Sequence, residues 1–210
     1  MANYSVLNKS ISKFLWAYVF ILFNISIGTV DVLPDFIGYI LMAAGIFSLS
    51  KELGHSPLLK ILSIIMSVWS VIYWGLNAFS VSSDILTYIS SSTGAVDIVL
   101  NFLFLTDLSV ICKTYQTEEQ KLDKKLITAR NIYTFCIAAS VLSSLSLLLI
   151  SKTAEILIVF TVAVSIICIV LLLAVMILIF QGLSGLKKIT ENLARNAQNC
   201  CVPFSTEENE

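Results

Sequence analysis

Charge is what this sequence has least of. Only 13% of its 210 residues are Asp, Glu, Lys or Arg, about half the ~25% of an ordinary soluble domain. That supply cannot cover a globular surface with polar groups, which excludes a soluble enzyme. The 57% hydrophobic content excludes a disordered tail. Histidine is represented by His55 alone, in a short polar connection. The five cysteines are Cys112, Cys136, Cys168, Cys200 and Cys201. None shows a metal-ligand spacing, and the adjacent pair has no histidine beside it, so neither a metal centre nor a secreted disulfide scaffold is expected. A His–Glu metal motif, a phosphate loop and a Gly-x-Ser-x-Gly elbow are all missing. The expectation is therefore no enzymatic activity, no cofactor and no metal. A net charge of −1 provides no basic surplus for nucleic acid.

What the chain has instead is long apolar runs and a mean hydropathy of +0.90. This reads as an all-α, polytopic membrane helix bundle. Six spans are expected, at about 14–27, 35–50, 58–79, 95–112, 131–150 and 154–180, forming one transmembrane domain over 1–186. Pro34 and Pro57 open the second and third spans, where a missing N–H has no intrahelical partner to lose. The fourth segment is ambiguous. A helix from Asp84 to Cys112 would be about 43 Å long, beyond the ~30 Å hydrocarbon core. The expected arrangement is a short interfacial piece near 84–91 followed by a span from Ala95 to Cys112. Residues 187–210 form a cytoplasmic end, with Gly185–Ala197 extending helix six and Cys200–Glu210 as a flexible tail.

The basic residues orient the bundle. With the N-terminus cytoplasmic, inside positions hold Lys9, Lys13, Lys51, Lys60, Lys113, Lys121, Lys124, Lys125, Arg130, Lys187, Lys188 and Arg195, and only Lys152 falls outside. So one-sided a split predicts that both termini lie in the cytosol. It also places Cys112, Cys200 and Cys201 on the reducing side. The segment Lys113–Arg130 mixes both signs of charge at helical spacing and is expected to be a solvated helical connector.

Polar residues within the apolar runs are the candidate functional groups. Asp97, Asn101, Thr106 and Asp107 lie in span four. Asp97 and Asn101 share a face. Asp107 is rotated by about 80° from Asp97 and lies about 15 Å further along. An acid facing lipid costs about 2.5–3.5 kcal/mol, so these groups should face the bundle or water. One reading is a proton or cation path with two carboxylate stations; the other is interfacial placement with hydrogen bonds to neighbouring helices. Asn24 in span one is placed to pair with Asn101. Asp31 and Asp35 flank Pro34 in the outside turn, as a shallow polar site or as a helix-start signal. Small residues at helical spacing (Gly38, Gly45 and Ser48; Ser63, Ser67 and Ser70; Thr161, Ser165 and Cys168) predict close helix packing.

The run Gly28-Thr29-Val30-Asp31-Val32-Leu33-Pro34-Asp35-Phe36-Ile37-Gly38-Tyr39-Ile40, following Phe23-Asn24-Ile25, resembles a segment of small uncharacterised bacterial multi-span membrane proteins with no assigned activity. The resemblance covers some 20 residues and implies a bacterial cytoplasmic membrane protein, without catalytic residues to transfer.

Two function classes follow. The first is an accessory or scaffold subunit of a membrane complex, packed through its small-residue faces and the 113–130 connector. The alternative is a small transporter or channel component moving protons, cations or a small solute through a polar path on helix four. The expected partners are the lipid bilayer and either another membrane protein or a second copy of the chain.

Overall fold

In the computed structural model of the chain the apolar runs form, among the described residues, six helices: α1 (Tyr4–Leu22), α2 (Asp35–Ser48), α3 (Ser56–Ala78), α4 (Ser83–Tyr115), α5 (Leu122–Leu149) and α6 (Glu155–Asn199). The structure describes residues 4–22, 26–27, 30–31, 34–78, 83–116, 121–149 and 155–199. Between α1 and α2, Ser26–Ile27 pairs antiparallel with Val30–Asp31 in a minimal ladder. The architecture is the all-α one expected.

Local chemistry sets the helix ends. Pro34, extended at φ −67° and ψ 127°, caps α2, and Asp35 occupies its first turn, where the positive end of the helix dipole favours an acid. The Leu49 N–H donates to the Gly45 carbonyl at the other end. Leu49 and Leu53, both buried, then anchor a tight turn into α3. At the start of α5, the Gln116 side chain accepts the Asp123 N–H at 3.1 Å and donates to the Asp123 carboxylate at 2.7 Å.

Several boundaries differ from those expected. The first helix starts at Tyr4 and stops at Leu22 rather than covering 14–27. Its early turns bury Leu7, Ser10 and Ile11, and Lys13 reaches out to the Ala44 carbonyl and Ser48 hydroxyl. The fourth helix is continuous over its 33 residues, with no break between an interfacial piece and a span. Its length of about 50 Å carries it beyond a ~30 Å core. The glycine inside it, Gly94, costs only about 1 kcal/mol in a helix, and the space over it is filled by Val141 of α5. The connector 113–130 is not wholly solvated. Leu122, Leu126 and Ala129 are buried, and the two leucines sit on Gly182 and Gly185 of α6. The long sixth helix does run on past Gly185, as expected.

Each helix packs on the next in sequence, and α6 closes the ring against α1. The fourth helix is the axis of this arrangement. Of the residues in an 18-residue apolar run within its stretch Thr93–Tyr115, 56% are buried, against 22%, 22% and 17% for the equivalent runs of α3, α5 and α6. Large side chains bridge to it. Phe14 of α1 packs edge-on against Phe104 at 4.6 Å between centroids, and Tyr18 flanks the same ring. Glycine makes this approach possible: a Cβ on Gly45 would lie 2.2 Å from the Phe14 ring, and one on Gly38 would lie 2.7 Å from the Ala17 carbonyl oxygen.

Among the described residues four helices, α3 to α6, carry stretches long and apolar enough to cross a membrane, and the 14-residue α2 is a shorter apolar helix. Leu58, Ile61, Ile65, Val68 and Ile72 are exposed along α3, and Val162, Ile166, Ile169, Val170, Leu173 and Ile177 along α6. Apolar faces this continuous fit a hydrocarbon surround. The helices are those of a membrane protein.

Substituting Gly45 by Ala should overpack the Phe14 contact, at a cost of about 1–3 kcal/mol. Gly75, with open space around its Cα, should accept Ala without loss because alanine is the better helix former. Thermal unfolding of the two purified variants in detergent checks this. Equal midpoints would remove the glycine seat from the packing argument.

Candidate functional site

Asp97 and Asn101 lie one turn apart on α4 and are 5% and 1% exposed. Tyrosines from α2 and from α5, which packs directly on α4, both reach Asp97. Tyr39 donates its hydroxyl to Asp97 Oδ1 at 2.7 Å, and Tyr133 donates to Oδ2. The Asn101 amide donates to Oδ1 at 2.8 Å and to the Asp97 carbonyl at 3.2 Å. Its own oxygen accepts the Tyr18 hydroxyl of α1 at 2.8 Å. One acid thus gathers donors from three helices, and Asn101 extends the network to a fourth. Among the described residues the ion pairs are His55–Asp107 and Lys187–Glu191, neither of them at this carboxyl group.

The network opens on a cavity of about 340 Å³. Asp35, Tyr39, Asp97 and Tyr133 form its polar side, and Ile21 and Leu22 with Ile137, Leu172 and Met176 form much of its apolar wall. Asp35 reaches it because α2 begins at Asp35, one turn before Tyr39. Two acids from different helices therefore border the same space. Among the described residues no group of three or more His, Cys, Asp or Glu side chains is arranged to hold a metal ion.

The structure divides the other candidate residues. Asp107 does not join Asp97. It turns to the start of α3, accepting the His55 N–H at 2.8 Å and standing 2.6 Å from His55 Nδ1. Its carboxyl oxygens therefore close the turn that leads into α3, a structural duty that ties α4 to α3. Thr106 is likewise occupied, accepting from Arg130, whose guanidinium lies 4.5 Å over the Phe102 ring. Asn101 pairs with Tyr18 and Asp97 where Asn24 was the expected partner; Asn24 lies outside the described residues. The backbone of Asp31 stands opposite Ser26 in the short ladder, and its side chain lies outside the described set.

Sequence reasoning gave none of Tyr18, Tyr39 and Tyr133 a place in the site. The available signal was the surroundings: Tyr18 and Tyr133 lie among apolar neighbours, where a buried hydroxyl must find a partner. Which partner it finds depends on neighbouring helices.

Compared with protein-family models, with curated proteins and with solved structures, the chain matches none.

If the tyrosines act through Asp97, Tyr39→Phe and Tyr133→Phe should each cost about 0.6–1.7 kcal/mol, the range of hydrogen bonds inside membrane bundles. In an Asp97→Leu background the same substitutions should cost close to nothing. A double-mutant cycle on unfolding in lipid bicelles measures both. Equal costs in the two backgrounds would separate the hydroxyls from Asp97.

Proposed function

We propose that this chain is a six-span protein of a bacterial cell membrane, with both termini in the cytosol, that takes up a proton or a small cation at Asp97 as part of transport. The observation that carries this reading is a buried carboxyl group with three hydrogen-bond donors and no basic partner among the described residues, bordering a cavity shared with Asp35. An acid within a bundle is expensive unless it is neutralised. A proton or a cation arriving from the cavity does that, and its departure restores the empty state. The six-span count and the orientation rest on the apolar runs and on the placement of twelve of the thirteen Lys and Arg residues.

The alternative is an accessory or scaffold subunit of a membrane complex. Part of its basis is used within the chain: Gly38 and Gly45 receive α1, and Gly182 and Gly185 receive α5. The exposed apolar face of α3 is the surface that favours it.

Purified protein in liposomes loaded with a pH- or sodium-sensitive dye tests the first reading. Wild type should carry flux at a rate at least tenfold above Asp97→Asn, while Asp107→Asn should lower stability and leave flux per folded molecule unchanged. Wild-type flux no faster than empty liposomes, together with a stoichiometric second protein on native mass spectrometry, would replace it with the accessory role. The orientation has its own check. With Cys200 and Cys201 changed to Ser, an impermeant thiol reagent added to whole cells should label Ser83→Cys and spare Lys188→Cys. The opposite pattern would invert the topology.

A further inference from the structure

The cavity beside Asp97 differs from a binding site for a bare ion in three respects. A dehydrated metal cation asks for about six oxygen ligands, whereas both oxygens of Asp97 are already engaged. Oδ1 accepts from Tyr39 and Asn101, and Oδ2 accepts from Tyr133. The space of about 340 Å³ is far larger than an ion needs, and lies at the lower end of pockets that hold small organic ligands. Its walls, apart from Asp35, Tyr39, Asp97 and Tyr133, are apolar: Ile21 and Leu22 of α1, Ile137 of α5, and Leu172 and Met176 of α6 among them.

The position of the opening adds a fourth observation. Ile169 and Leu173 of α6 also line the cavity, yet they are 59% and 56% exposed on the outer surface of the bundle. They belong to the same apolar face of α6 as Val162, Ile166 and Val170. The cavity therefore meets the outside of the bundle along a hydrocarbon-like strip.

We infer that the cavity binds a small amphipathic organic cation, an alkyl- or arylammonium, which reaches it from the lipid side past Ile169 and Leu173. This deepens the transport reading above and rests on it. A diffuse ammonium charge needs no inner shell of oxygens. It is attracted by a carboxylate that keeps its hydrogen bonds and by the faces of Tyr39 and Tyr133. Its apolar part replaces lipid or water against the aliphatic wall at about 25 cal/mol per Å² removed from water. Asp35, at the positive end of α2, provides a second acid on the same space. A solute that partitions into the membrane is concentrated where the opening lies, so the route and the pocket select the same chemistry.

The test is binding of benzyltrimethylammonium to the full chain in lipid nanodiscs, with neopentylbenzene, its uncharged carbon isostere, as the control. Nanodiscs without protein subtract partition into lipid. The expected result is saturable binding of the cation, weakened at least tenfold by Asp97→Asn, and reduced by Leu173→Trp, which fills the opening while leaving the acid in place. The neutral isostere should fail to compete. Equal binding of the two probes, unaffected by Asp97→Asn, would overturn the inference and leave an apolar cleft that accepts an acyl chain. Absence of cation binding, with Asp97-dependent proton or sodium flux intact, would overturn it while the transport reading stands. Absence of both binding and flux would remove the two together.

Discussion

The burial of one carboxyl group organises this bundle. Asp97 sits in the most buried helix and accepts hydrogen bonds from α2, from α5 and from its own helix, while Asn101 passes the network to Tyr18 of α1. A buried polar group without partners costs several kcal/mol, so the bundle must present those donors wherever Asp97 lies. The directionality of the bonds makes the requirement geometric. Tyr39 must stand within a turn of the start of α2, and Tyr133 must face α4, or the acid is stranded. The register of three helices against α4 follows from that condition.

Apolar packing completes what the hydrogen bonds orient. Phe14 fills the seat left by Gly45 and meets Phe104 edge-on, bringing α1 and α2 together against the axis. Such an aromatic pair is worth about 0.5–1.5 kcal/mol beyond its buried area. Leu122 and Leu126 occupy the glycine seats of α6, and Asp107 closes the turn into α3 through His55. Polar and apolar contacts thus divide the work along the bundle: Gly38 receives α1 beside Tyr39, at the level of the network, while Gly45, Gly182, Gly185 and the Asp107–His55 contact hold the rest.

That division leaves space where the network stops. Large aliphatic side chains line the gap between α1, α5 and α6, but none of them fills the region before Asp97 and Asp35. A close-packed interior keeps few voids larger than a water molecule, so a volume of this size beside an acid stands out in the packing. The lipid-facing position of Ile169 and Leu173 makes the space accessible without a water-filled channel through the whole bundle, in keeping with the apolar character of every other wall.

The sequence by itself determined the helical class and the membrane surround, because hydrophobic runs and scarce charge act locally and additively along the chain. It also marked Asp97 and Asn101, since an acid and an amide one turn apart in an apolar helix are visible without any neighbour. The continuity of α4 through Gly94 was less legible, because length alone argued for a break while the supporting contact, Val141, comes from another helix. The pairing of Asp107 with His55, the recruitment of Asp35 and the three tyrosines, and the placing of the cavity were decided only by tertiary structure. Each of these depends on which faces of distant segments meet. Helical periodicity says that a tyrosine and an aspartate each have a face; only the packed bundle says that the two faces are the same place.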